Sequence, residues 1–116
     1  MAGRKAGQGS KWIRPEKREK IYTSDGHRCC YCGDSIHDTA GMVLTLDHIV
    51  PCELGGDNKA TNLVTACRSC NSSKRALPLG QFLMVLQDRG VDTDAVKKNV
   101  RNASRRHARF ERRGSK

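Results

Sequence analysis

The apolar positions of this chain fall in short groups separated by turn-rich stretches. Met42 to His48 (MVLTLDH) carries Val43, Leu44 and Leu46 and alternates well enough for a strand. Leu63-Val64-Thr65 makes a second short strand. Pro51, Gly55, Gly56, Asp57 and Asn58 form a long connection between the two. A helix then begins at Arg68, carries Asn71, Lys74 and Arg75, and must end before Pro78. Leu79 to Gln87 reads as a short amphipathic helix stopped near Gly90. Upstream, Pro15 followed by Glu16, Lys17, Arg18 and Glu19 suits a helix start, with Asp25-Gly26 ending it after about Ser24. Downstream, Thr93 or Asp92 caps a last helix with Val96, Val100, Ala103, His107 and Phe110 along one side. Its other faces are mostly Arg and Lys, and the His107 imidazole is read as solvated. The predicted fold class is α+β: strand, long loop, strand and helix, flanked by further helices.

Charge divides the chain differently. Residues 1–20 hold seven Lys/Arg against two Glu, and residues 97–116 hold nine against one. Residues 21–96 hold six basic and nine acidic residues, so the net +10 comes entirely from the ends. Those ends are expected to add little to a core. They read as a flexible basic arm over 1–14 and a basic helix and tail over 92–116. Basic arms around a near-neutral centre suit a polyanion. An anionic membrane fits less well, since the arms lack large apolar residues on an opposing face. Met1 to Lys11 has no apolar stretch, and the longest apolar run, Phe82 to Leu86, is far too short to span a bilayer. A cytoplasmic protein with reduced cysteines is expected.

Six cysteines include two matched pairs, Cys29-x-x-Cys32 and Cys67-x-x-Cys70. Each such knuckle places two thiolates on one side of a metal, and four thiolates complete a tetrahedron for Zn²⁺. With no open coordination position, that zinc is structural. It would offset the small core of a central module, because metal binding to a site present only in the folded state contributes directly to folding. Cys30 and Cys52 are left out of the set.

Between the knuckles lie Asp47, His48 and Asn62, and Asn71 follows the second knuckle directly. Phosphodiester hydrolysis needs an activated water, charge neutralisation at phosphorus and help for the leaving oxygen. Histidine titrates near neutrality, so His48 suits the general base. Asp47 supplies a hard oxygen ligand for Mg²⁺ or Mn²⁺, and the Asn71 carbonyl a second. Lys74, one turn after Asn71, is placed to contact a phosphate, with Arg75 the weaker candidate. His27 and His37 are assigned no role: His27 adjoins the first knuckle, within reach of a thiolate, and His37 lies in the following loop.

The string Asp47-His48-Ile49-Val50-Pro51, then Gly55-Gly56, Asn62-Leu63, Cys67-x-x-Cys70-Asn71 and Lys74, closely resembles HNH endonucleases of the ββα-metal fold, over roughly residues 26–76. Asn71 stands where a histidine is common, which resembles the His-Asn-Asn branch that includes one nuclease domain of RNA-guided CRISPR effectors. The resemblance implies an HNH nuclease domain, placed over 15–91, that cuts DNA to 5′-phosphate and 3′-hydroxyl ends. It also implies that Asn62 is no ligand but fixes the loop and orients the His48 ring. The small size resembles stand-alone bacteriophage HNH proteins, some of which act beside terminase and portal components in genome packaging inside a bacterial host. A zinc-stabilised nucleic-acid-binding module without catalysis is the alternative. It would keep the thiols and arms but have no use for Asp47, His48 and Asn71 together. A restriction or homing enzyme shares the chemistry, but no separate recognition domain is evident. Oligomeric state is left open.

Overall fold

Pro15 opens the first helix at a position where its missing N–H costs nothing, and the elements follow in the order the sequence predicts. A computed structural model describes residues 13–114; residues 1–12, and with them most of the predicted basic arm, lie outside the described residues. The elements are α1 (Pro15–Ser24), β1 (Leu44–His48), β2 (Leu63–Cys67), α2 (Arg68–Lys74), α3 (Leu79–Asp88) and α4 (Thr93–Gly114). Of the two candidate caps for α4, Asp92 takes the role, its Oδ1 accepting the amides of Asp94 and Ala95 at 3.1 and 3.3 Å.

β1 and β2 pair antiparallel, with Leu44 opposite Cys67 and His48 opposite Leu63. The Ile49 amide donates to the Asn62 carbonyl at 2.8 Å, so the ladder runs one step into the loop. All five residues of β2 are buried. Its second edge is covered by the first knuckle, where the Cys30 amide donates to Thr65 O at 2.9 Å. Val64 and Ala66 join Tyr31, Phe82, Leu86, Val96, Val100 and Ala103 in one core cluster. Leu63 joins Ile13, Ile21 and Ala60 in another, with Leu46 and Phe110 packed against it. Among the described residues, no helix is long and apolar enough to cross a membrane.

Two expectations are corrected. The C-terminal basic segment is not peripheral, because α4 buries Val96, Val100, Ala103 and His107. The apolar spacing predicted that stripe; the charge count obscured it. His107 is not solvated but fully buried. Its Nε2 lies 2.8 Å from Asp25 Oδ1, and its Nδ1 lies 3.0 and 3.1 Å from the carbonyls of Leu63 and Ala60. All these partners are acceptors, so a protonated ring nitrogen finds a partner on either side of the imidazole. Asp25, expected only to stop α1, is the hub of this network. Its carboxylate also accepts the Thr65 amide at 3.0 Å and Arg106 at 2.8 Å.

Candidate functional site

The four sulfurs of Cys29, Cys32, Cys67 and Cys70 lie within 4.8 Å of one another, with Cys32 and Cys67 3.9 Å apart. A zinc tetrahedron with Zn–S of about 2.3 Å has sulfur–sulfur edges of about 3.8 Å, so the cluster fits such a metal. Each knuckle has the same local geometry. Cys29 Sγ accepts the amides of Tyr31 and Cys32 at 3.4 Å, and Cys67 Sγ accepts the Cys70 amide at 3.4 Å. The Cys70 hydrogen bond, against the effect of burial, brings Cys29 down to about 5, whereas burial and neighbouring thiolates push Cys32 up to about 12. Four thiolates gathered this closely would repel one another, and a dication at their centre offsets that repulsion. Cys30 is buried, its thiol pushed up chiefly by desolvation, and Cys52 is half-buried; neither belongs to the cluster. His27 reaches Glu19 at 3.4 Å, not a thiolate, and its ring meets His37 edge-on at 6.1 Å.

The cluster anchors the start of α2, and α2 carries Asn71 and Lys74 onto β1. The Asn71 Nδ2 donates to Thr45 Oγ1 at 2.8 Å and to Leu46 O at 3.1 Å. A backbone carbonyl only accepts, which fixes the amide's orientation and leaves Oδ1 as the end free of these bonds. Asp47 is buried on the α2 side of the strand at 5% exposure. Its Oδ2 accepts the Tyr31 hydroxyl at 2.5 Å and lies 3.2 Å from Lys74 Nζ. Among the described residues no hydrogen bond is made to its Oδ1. Burial raises the Asp47 carboxyl above its ordinary value, opposed by the Lys74 charge and the Tyr31 hydrogen bond.

Lys74 is where the structure departs most from expectation. It is fully buried, and its ammonium donates to His48 O at 2.9 Å and Ile49 O at 3.5 Å besides pairing with Asp47. Three protons meet three protein acceptors, so this group is not presented to a phosphate. The helical spacing placed Lys74 on the same face as Asn71, but that face is turned into the sheet. Arg75 is exposed.

His48 is half-buried at the end of β1, its side chain turned toward the loop instead of α2. Its Nε2 lies 2.7 Å from Asn58 Oδ1. An amide oxygen only accepts, so Nε2 is the donor, and in the neutral ring this tautomer puts the lone pair on Nδ1. The ring contact expected of Asn62 is therefore made by Asn58. Among the described residues, the Asn62 side chain bonds only within the loop: its Oδ1 accepts the Val50 amide at 2.9 Å, and its Nδ2 donates to Val50 O at 3.0 Å and Asp57 O at 2.9 Å. Gly56 is required by the same packing, since a Cβ there would lie 1.7 Å from Val50 O. The loop is tied to the outer helices as well. Lys17 donates to Asn58 O at 2.7 Å and pairs with Glu111 at 2.9 Å, and Glu111 accepts the Ala60 amide.

Residues 29–84, spanning both knuckles, both strands and α2, match the HNH endonuclease family. This segment is an HNH endonuclease domain. The CRISPR-associated endonuclease Cas9 of Actinomyces naeslundii is 37% identical over 76 residues, covering 65% of this chain and 6% of that protein. The solved structure of the Type II-C Cas9 enzyme from the same organism superposes with a TM-score of 0.56 at 29% identity, covering 82% of this chain and 10% of that one. The chain thus spans a small fraction of the length of these relatives.

Within the HNH domain, sequence reasoning missed Tyr31, Thr45 and Asn58. Tyr31 was visible as the aromatic residue inside a metal knuckle, where a small or polar residue suffices for the turn. Thr45 stands two residues before Asp47 and so shares its strand face. Asn58 sat in the Gly-Gly-Asp-Asn run and looked like any other turn residue; no local signal distinguishes it.

Proposed function

We propose that this protein is a divalent-cation-dependent endonuclease that hydrolyses phosphodiester bonds in DNA. The observation that carries the reading is how three polar side chains are held. Asp47, Asn71 and His48 are each fixed through one atom, Oδ2, Nδ2 and Nε2, leaving Oδ1, Oδ1 and Nδ1 respectively. Two oxygens of that kind suit a hard cation such as Mg²⁺ or Mn²⁺, which, when bound, polarises the phosphate and stabilises the leaving oxygen. His48 Nδ1 accepts the proton of the attacking water, and Asn58 keeps the ring in the tautomer that can do so. Asn62 and Gly56 hold the loop that carries Asn58. The zinc fitted by the four cysteines is structural, because a closed thiolate set leaves no position for substrate.

DNA is the substrate this reading assigns. Lys97, Lys98, Arg101, Arg105 and Arg109 are exposed on α4, and Arg75 is exposed at the end of α2; such groups contact backbone phosphates without regard to sequence. Ends bearing 5′-phosphate and 3′-hydroxyl belong to the same proposal. Action beside a phage terminase rests on the likeness to small bacteriophage HNH proteins, and stimulation of nicking by added terminase is its test. The enzyme reading is tested by incubating supercoiled plasmid with the protein across a panel of divalent ions and mapping the product ends. Cation-dependent nicks with 5′-phosphate ends are expected. Intact plasmid with every ion, despite DNA binding, would leave a zinc-stabilised binding module.

A further inference from the structure

Tyr31 touches the cysteine cluster at one end and Asp47 at the other. It lies between Cys30 and Cys32, and its backbone amide donates to the sulfur of Cys29 at 3.4 Å. Its side chain crosses the core, with the ring edge-on to Phe82 at 5.1 Å and 83°. At the far end its hydroxyl donates to Asp47 Oδ2 at 2.5 Å. The residue is 2% exposed, so neither end has water as a substitute partner. We propose that Tyr31 is a positioning residue through which the zinc site sets the Asp47 carboxylate for the catalytic cation, coupling occupancy of the two sites. The proposal rests on reading Asp47 as a ligand of that cation.

The physical argument has three steps. Drawing four sulfurs to one ion fixes the 29–32 backbone, and a tyrosine has only two side-chain torsions between that backbone and a rigid ring. The ring, packed on Phe82, therefore delivers the hydroxyl to one place. There it shares Oδ2 of Asp47 with the Lys74 ammonium. With two donors on Oδ2, the carboxylate cannot turn, and Oδ1 is held in a single direction. Without the hydroxyl, only Lys74 at 3.2 Å restrains the group, and Asp47 gains rotamer freedom that cation binding must remove. Partners that orient a metal ligand in this way typically change metal affinity by about 10–100-fold when removed. Coupling between two binding sites is also reciprocal, so the catalytic cation should in turn strengthen zinc retention.

The test is Tyr31→Phe, which keeps the ring and its packing. Mn²⁺ affinity is measured by electron paramagnetic resonance on wild type, Tyr31→Phe and Asp47→Ala, alongside zinc content and thermal melting. The proposal expects Tyr31→Phe to retain its zinc and bind Mn²⁺ about 10–100-fold more weakly. Saturating cation should then restore most of its cleavage rate. It also expects saturating Mg²⁺ to slow zinc transfer to a zinc-selective chelator in wild type but not in Tyr31→Phe. Unchanged or tighter Mn²⁺ binding by Tyr31→Phe overturns the proposal, as does zinc loss from that variant or zinc transfer indifferent to Mg²⁺ in wild type. If Asp47→Ala binds Mn²⁺ like wild type, the ligand reading itself fails. If only Asp47→Ala loses Mn²⁺, the reading stands and the coupling does not.

Discussion

Arg75 is held in a backbone conformation that suits glycine, and this makes its replacement a sign test. It follows Lys74 at the end of α2 with φ 54° and ψ −128°. The Leu77 amide donates to the Lys74 carbonyl at 2.9 Å. That is the first central position of a type II′ turn, normally occupied by Gly, Asn or Asp. A bulky residue there costs about 1–3 kcal/mol. At a position of ordinary negative φ, alanine is more stable than glycine by about 0.4–1 kcal/mol through the unfolded chain. Here the order should invert: relieving about 1–3 kcal/mol against an entropic cost of about 0.4–1 leaves Arg75→Gly ahead of Arg75→Ala by about 1.3 kcal/mol at mid-range, within roughly 0–2.6. At roughly 4–8 °C per kcal/mol for a small domain, melting should separate the two variants by several degrees. DNA affinity should fall in both variants alike, with a shallower salt dependence, because the exposed guanidinium is lost in each. Calorimetric melts and filter binding at several salt concentrations measure the two effects. A more stable Arg75→Ala would show that the backbone is unstrained. A more stable Arg75→Gly with unaltered DNA binding would mean that the strain is not retained for phosphate contact.

Lys74→Met removes the cation buried against Asp47 and the carbonyls of His48 and Ile49. Leaving the Asp47 carboxylate without its ion-pair partner should destabilise by about 3–5 kcal/mol in urea titrations, and a loss under 1 kcal/mol would contradict the buried pair. Asp25 sets an acid limit on stability. Burial raises its carboxyl, but His107, the Thr65 amide and Arg106 together hold it below its ordinary value. The unfolded chain therefore binds the proton more tightly. The stabilisation is full above the unfolded value of about 4 and is lost as pH falls through the lower folded one. Asp25→Asn should flatten stability against pH in that acid range; an unaltered slope would remove Asp25 as its source.

The local elements were legible because local chemistry decides them: Pro15 opens α1, Asp92 caps α4, and the matched thiol spacing announces the knuckles. The four clustered cysteines follow from two short repeats and need no tertiary knowledge. Lys74 was misjudged because spacing along a helix tells which residues share a face, not whether that face meets solvent or a sheet. Asn58 and Asn62 could not be assigned apart, since both lie in one long loop whose path is set by Gly56 packing against Val50. His107 needed the α1 end, the loop and β2 brought together before its burial could be understood.

Loss and recovery of one imidazole tests the catalytic account most directly. Single-turnover cleavage of a DNA duplex in saturating Mg²⁺ should slow by about 10²–10⁴ in His48→Ala, as expected for removal of a general base. Added imidazole should restore part of the rate in the variant and leave wild type unmoved. A His48→Ala protein that cuts at the wild-type rate, with zinc content and folding intact, would contradict the account.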